Sequence, residues 1–340
     1  MQLTCVNPEC KYNETGICVE GIEPANKCPK LEESVSTEKK PEATAQEIEQ
    51  DEPGSDYVHL DNGNPLGDVE ASSILKQHGA ILVACVGKSE VGKTTLLSSI
   101  YEHLNYSPIG AYFFGSSENI LAFEQLCRTA RLASGRERAE TPHTIRANKA
   151  QFYHIALSSE QKRIDLLIGD RAGEEYAEAL GSAHSCRLLY EVKRADSLLI
   201  LVDAQNLCSL EHRHSAKRDA VNFVKAFRDE NLLDKKCRVG VVMTRFDLAV
   251  QEGTEAEARA REEHASILDR IRKEIPDQCE VKSIVVAVRP ENPDPDKVGF
   301  FYGLEELITF ISKPVNPSKH TYKARSGSRS FYRLRAQDEN

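Results

Sequence analysis

Residues 87–94 run Gly87-Lys88-Ser89-Glu90-Val91-Gly92-Lys93-Thr94, the spacing G-x-x-x-x-G-K-[ST] of a phosphate-binding loop. An apolar run, Ile81 to Val86, precedes it and an amphipathic pattern, Leu96, Leu97, Ile100 and Leu104, follows. That strand, loop and helix context is what gives such a motif meaning. Its glycines let the backbone curl so that successive N–H groups face a phosphate, and the helix N-terminus adds its dipole. Lys93 would place a cation between terminal phosphates, the Thr94 hydroxyl would be a Mg²⁺ ligand, and Thr95 closes the cradle.

Two further elements suit the same chemistry. The run Arg163 to Glu174 is an apolar strand delivering Asp170 at its carboxyl end, followed by Arg171-Ala172-Gly173. Asp170 would hold Mg²⁺ through a water, and Gly173 would bring its N–H to a γ-phosphate. A strand ending in D-x-x-G says little alone, because acidic turn residues are common after strands; the loop upstream supplies its meaning. Val239 to Met243 then leads into Thr244-Arg245-Phe246-Asp247. A carboxylate at Asp247 accepts the N1 and N2 donors of guanine, a pair that adenine does not present. Arg245 offers an aliphatic stem to stack on a base.

With these motifs in order, the chain over about 80–312 resembles P-loop GTPases of the translation-factor and Ras-like class. The cysteine-bearing head, linker and large insertion narrow the resemblance to the bacterial double-GTPase family of conflict systems. The resemblance implies GTP/GDP and Mg²⁺ as ligands. It also implies a Ras-like α/β fold: a mostly parallel sheet with one antiparallel edge strand, helices on both faces, and a small Cys-rich N-terminal module. It implies a GTP-hydrolysing switch within a multi-protein defence complex, and the departure at Glu174 predicts a rate slow alone and stimulated by a partner. That partner would be a second GTPase or a GTPase-activating protein. By the same resemblance a switch threonine is Thr144, with Thr141 its rival, and Ala287 is the best base-loop residue. Glu174 stands where a water-orienting glutamine is usual, and Arg171 or Arg146 could assist catalysis on assembly. Thr244 and Arg245 replace the usual Asn and Lys. Two other readings share the loop: a nucleotide-dependent scaffold with negligible hydrolysis, and an ATPase or small-molecule kinase, against which Asp247 argues.

The elements that must position these residues alternate. Strands are expected at Ile81 to Val86, Phe152 to Leu157, Ile164 to Gly169, Ser197 to Val202, Val239 to Met243 and Ile284 to Val288. Amphipathic helices are expected around Leu96, Phe223, Ile267 and Leu307. The short polar link Ser158 to Arg163 predicts a hairpin and hence an antiparallel edge pair. A helix containing Ile120, Phe123, Cys127 and Ala130 is expected beside the mouth of the site.

The 340 residues are 40% hydrophobic, enough for one sizeable core. The longest apolar run, Ala80 to Val86, is far short of the roughly 20 residues a membrane helix needs. The N-terminus lacks a secretory pattern, so a cytoplasmic protein is expected, and its ten cysteines read as thiols or metal ligands. Four of them, Cys5, Cys10, Cys18 and Cys28, fall in a turn-rich head at 1–30. Together they suit tetrahedral Zn²⁺, although the spacing lacks paired C-x2-C units and ordinary reduced thiols are the alternative. Residues 31–75 read as an acidic disordered linker; over 31–70 it holds twelve acids against Lys39 and Lys40, more than the whole chain's net −9. Residues 76–312 form the phosphate-loop domain and 313–340 a basic disordered tail. That tail makes contact with nucleic acid at most a weak one.

Overall fold

The computed structural model describes residues 3–5, 31–33, 63–128, 149–160, 162–233, 237–290, 292–294 and 296–313. The chain divides into two units, Met1–His59 and Leu60–Asn340. In the first, β1 (Leu3–Cys5) pairs antiparallel with β2 (Leu31–Glu33), Cys5 opposite Leu31.

The second unit is built on a seven-stranded sheet. Its strands are β3 (Ile81–Val86), β4 (Phe113–Ser116), β5 (Gln151–Ser158), β6 (Arg163–Asp170), β7 (Ser197–Asp203), β8 (Arg238–Thr244) and β9 (Val281–Val285). They lie in the order β4-β5-β6-β3-β7-β8-β9. β4, β5 and β6 pair antiparallel; every other pairing is parallel. β3, β7 and β8 are buried throughout, as strands covered on both faces must be, which is why they read as apolar runs without alternation.

Because side chains alternate across a strand, Val83 and Cys85 face one helical layer and Ala84 and Val86 the other. The first layer holds α2 (Lys93–Tyr106), α3 (Ile120–Arg128) and α11 (Leu304–Ile311). The second holds α4 (Gly173–Ala179), α5 (Ala183–Arg187), α6 (Tyr190–Arg194), α7 (Ala204–Cys208), α8 (Arg213–Asp229), α9 (Phe246–Glu252) and α10 (Thr254–Glu274). His264 fastens α10 to the sheet: Nε2 donates to the Val241 carbonyl at 3.1 Å and Nδ1 lies 3.3 Å from Ser283 Oγ. Burial pulls its pKa down to about 4, against the Val241 carbonyl, which favours the charged form, so at neutral pH the ring is uncharged.

Several expectations need correction. The linker does not run to residue 75. Helix α1 (Asp68–His78) begins inside it, with Ala71 and Ile74 packed near Leu82, Phe152 and Leu167. Two of the acids that suggested disorder, Asp68 and Glu70, lie on its exposed face. The last strand is Val281–Val285 rather than Ile284 to Val288, since its pairing starts opposite Val239; the polar Lys282 and Ser283 hid its first half. The antiparallel edge carries an additional strand, β4, too short and too rich in small residues to signal itself. Helix α3 packs its apolar face on α2. Phe123 and Cys127 are fully buried, and Phe123 stacks on Tyr101 at 4.6 Å. Among the described residues, no helix is long and apolar enough to cross a membrane.

Candidate functional site

The carboxyl ends of β3, β6, β7 and β8 share one edge of the sheet, where doubly wound folds place ligands. From β3 the chain enters the phosphate loop. Glu90 (φ 67°) and Gly92 (φ 90°) both adopt left-handed backbone, the alternation that turns successive N–H groups toward an anion. Lys93 opens α2 and is 6% exposed. Its Nζ donates to the carbonyls of Gly87 and Lys88, each at 3.0 Å. Burial lowers its pKa, and Asp170 partly restores it. Val91 is buried and Gly87 closely packed, while Ser89 and Glu90 face solvent.

β6 delivers Asp170, buried, with its Oδ2 accepting from Thr94 Oγ1 at 3.0 Å. Beyond it Gly173 lies against the phosphate loop. A Cβ there would sit 2.1 Å from the Ser89 nitrogen and 2.3 Å from the Lys88 carbonyl carbon, so only glycine allows this approach. Glu174, exposed, accepts from Ser89 Oγ at 2.7 Å. Lys88 reaches the other way, to Asp219 of α8 at 2.5 Å. The D-x-x-G turn and α8 therefore both contact adjacent residues of one loop.

β8 ends in Thr244, whose hydroxyl is 2.8 Å from the Val91 carbonyl and 3.3 Å from that of Val202. A threonine thus ties the T-R-x-D turn to the phosphate loop. Arg245 is left-handed (φ 54°), and its Nη1 donates to Asp203 Oδ2 at 2.8 Å. Asp247 is 7% exposed in the first turn of α9.

Two assignments change. Arg171 cannot swing toward a nucleotide. It is 2% exposed and bidentate on Glu191 (Nε 2.8 Å, Nη2 3.0 Å), with Nη1 on Glu175 at 2.5 Å. Burial opposes its charge, yet the two carboxylates outweigh that and raise its pKa. It anchors the turn instead. Ala287 is fully buried, and its N–H donates to the Tyr302 carbonyl at 3.1 Å, so that donor is already engaged. Thr95 is half-buried in the first turn of α2. Thr144, Thr141, Arg146, Cys10, Cys18, Cys28 and the basic tail beyond 313 lie outside the described residues, as does the side chain of Cys5.

Oxygen donors suit a hard divalent cation, and the Thr94 hydroxyl beside the Asp170 carboxylate is such a set. Among the described residues, no group of three or more His, Cys, Asp or Glu could hold a metal by itself. Sequence reasoning missed Glu191, a buried carboxylate in a short helix rich in charged residues, and Asp219, a half-buried one on α8. It passed over the partnership of Asp203, although two adjacent parallel strands ending in Asp203 and Thr244 were a usable signal.

No curated protein matches the chain. Among solved structures, a dimerization-deficient mutant of Toc33 from Arabidopsis thaliana aligns with TM-score 0.40 at 14% identity, covering 74% of this chain and 91% of that one. Residues 81–311, from the first residue of β3 to the last of α11, match the model of the Double-GTPase 2 family, and the chain belongs to that family.

Proposed function

We propose that the chain is a GTP-binding switch that hydrolyses GTP slowly by itself and faster when a partner engages it. The observation that carries this reading is the convergence of Lys93, the Thr94–Asp170 pair, Gly173 and the T-R-x-D turn on one sheet edge. Lys93 and the loop N–H groups would bind the β- and γ-phosphates, the Gly173 N–H would meet the γ-phosphate, and Asp247 would read the base. Bound Mg²⁺ would neutralise phosphate charge, held by Thr94 and Asp170, with Thr144 as the further ligand proposed from sequence. Regulation of a multi-protein bacterial conflict complex is the setting we propose for this switch.

Slow turnover follows from Glu174. Its carboxylate can take a proton from water, but it brings negative charge to a transition state already rich in it. Arg171 is engaged by two carboxylates, which leaves the compensating arginine to a partner, a second GTPase or Arg146 on assembly. Such arginines contribute about 10³ to 10⁵ in rate. The Ser89–Glu174 hydrogen bond also favours a second reading, a nucleotide-dependent scaffold in which hydrolysis is negligible. Single-turnover hydrolysis of the isolated chain and of Glu174→Gln tests the proposal. The expected result is slow turnover that the substitution does not reduce. Rates typical of assisted enzymes, lost on substitution, would make Glu174 a working base and refute the slow switch.

A further inference from the structure

Asp203 closes β7 directly opposite Thr244 in the parallel register. It is 4% exposed, and both carboxylate oxygens are engaged: Oδ1 accepts from the Gln205 N–H at 2.9 Å and Oδ2 from Arg245 Nη1 at 2.8 Å. Burial pushes its carboxyl up, and Arg245 with the backbone N–H groups of Gln205 and Asn206 pulls it back. Arg245 is the exposed partner and holds a left-handed backbone, a conformation unfavourable for a non-glycine residue. Such strain persists where the surroundings over-determine it. Here the Thr244 hydroxyl holds the Val91 carbonyl on one side, and the Phe246 N–H donates to the Val286 carbonyl on the other.

What remains free in an exposed arginine is its long side chain, whose fixing costs conformational entropy. Asp203 fixes it in advance. With Nη1 on Asp203, the stem must run from the T-R-x-D turn toward the end of β7. A cavity of about 190 Å³ lies there, lined by Lys88, Ser89, Asp203 and Asn206. The arginine therefore bridges the base-reading turn and the end of β7, where Asp203 lines a cavity together with the phosphate-loop residues Lys88 and Ser89. A guanidinium is planar, weakly hydrated and suited to stacking on flat faces.

We propose that Asp203 is a positioning residue of the base site, presetting Arg245 as a flat wall for the purine of a bound nucleotide. This rests on reading T-R-x-D as the base-recognition element. Asp203→Asn is the informative variant, because asparagine caps a helix as well as aspartate and should leave α7 intact while deleting the ion pair. Binding of GTP, GDP and inorganic triphosphate should be measured for wild type, Asp203→Asn, Arg245→Ala and the double variant. The expected result is a loss of about tenfold for GTP and GDP alike, seen in KM more than in kcat. Inorganic triphosphate should bind unchanged, and the double variant should be no weaker than Arg245→Ala. Wild-type GTP affinity in Asp203→Asn, an equal loss for inorganic triphosphate, or additive losses would overturn the role of Asp203. If Arg245→Ala itself binds GTP normally, the base-site reading falls and this proposal with it.

Discussion

Lys93→Ala loses tight triphosphate binding, with GTP affinity falling about a hundredfold or more in calorimetric titration. An ammonium has three donors, and two of those on Lys93 are engaged by the Gly87 and Lys88 carbonyls at 3.0 Å. The third remains to meet phosphate. Burial already lowers the pKa of this lysine, and Asp170 only partly offsets that, so its charge is poorly solvated before ligand arrives and phosphate oxygens add counter-charge. In low-dielectric surroundings each charge-assisted bond contributes about 1.5–3 kcal/mol, enough for the expected loss. Alanine is a strong helix former, so α2 should persist and the loss reads on binding alone. Wild-type GTP affinity in the variant would remove the phosphate-loop assignment.

Glu191→Ala is expected to destabilise the domain by about 3–5 kcal/mol, the cost of leaving one member of a buried ion pair unpaired. Glu191 is fully buried and holds two nitrogens of Arg171, while Tyr176 donates to it at 3.2 Å. The same guanidinium lies 5.5 Å from the Tyr190 ring centroid. Tyr190 in turn accepts from the Ala150 N–H and hydrogen-bonds Asp68. This cluster couples the D-x-x-G turn to α6, α1 and the start of β5. Thermal unfolding should fall by roughly 10 °C, whereas an exposed change such as Glu174→Gln should barely move it. A midpoint for Glu191→Ala within about 2 °C of wild type would mean that Arg171 finds solvent or another partner and does not anchor the turn.

The core of this fold was legible in sequence because the parallel strands are apolar on both faces. Ile81 to Val86 and Ser197 to Val202 have no other stable place than mid-sheet. The phosphate loop was equally plain, since its glycines, lysine and threonine are constrained over eight consecutive positions. What was hidden depends on tertiary packing. Helix α1 is acidic outside and buries few residues, so composition alone read it as linker. β4 is four residues long and includes Gly115, which no periodicity can reveal. Arg171 looked available because its neighbours in sequence are site residues, while Glu191, its main partner, lies 20 positions away. Ala287 matched a pattern by type, but its backbone donor is committed to Tyr302, a contact set by a loop that closes only in three dimensions. Thr244 shows the reverse: an unusual residue for its position whose hydroxyl reaches a phosphate-loop carbonyl.

The central claim, a guanine-nucleotide site at the carboxyl edge of the sheet, is tested most directly by titrating GTP and ATP against the same wild-type protein, with Asp247→Asn titrated in parallel with GTP and xanthosine triphosphate. A buried carboxylate meeting adenine would be left with unmatched hydrogen-bonding capacity, and sites built around polar groups discriminate strongly on that ground. Asp247 is buried in the turn that Thr244 ties to the phosphate loop. The account predicts GTP binding tighter than ATP by about a hundredfold or more, and a shift of preference toward the xanthine nucleotide in Asp247→Asn. Equal affinity for GTP and ATP, unchanged by the substitution, would contradict it.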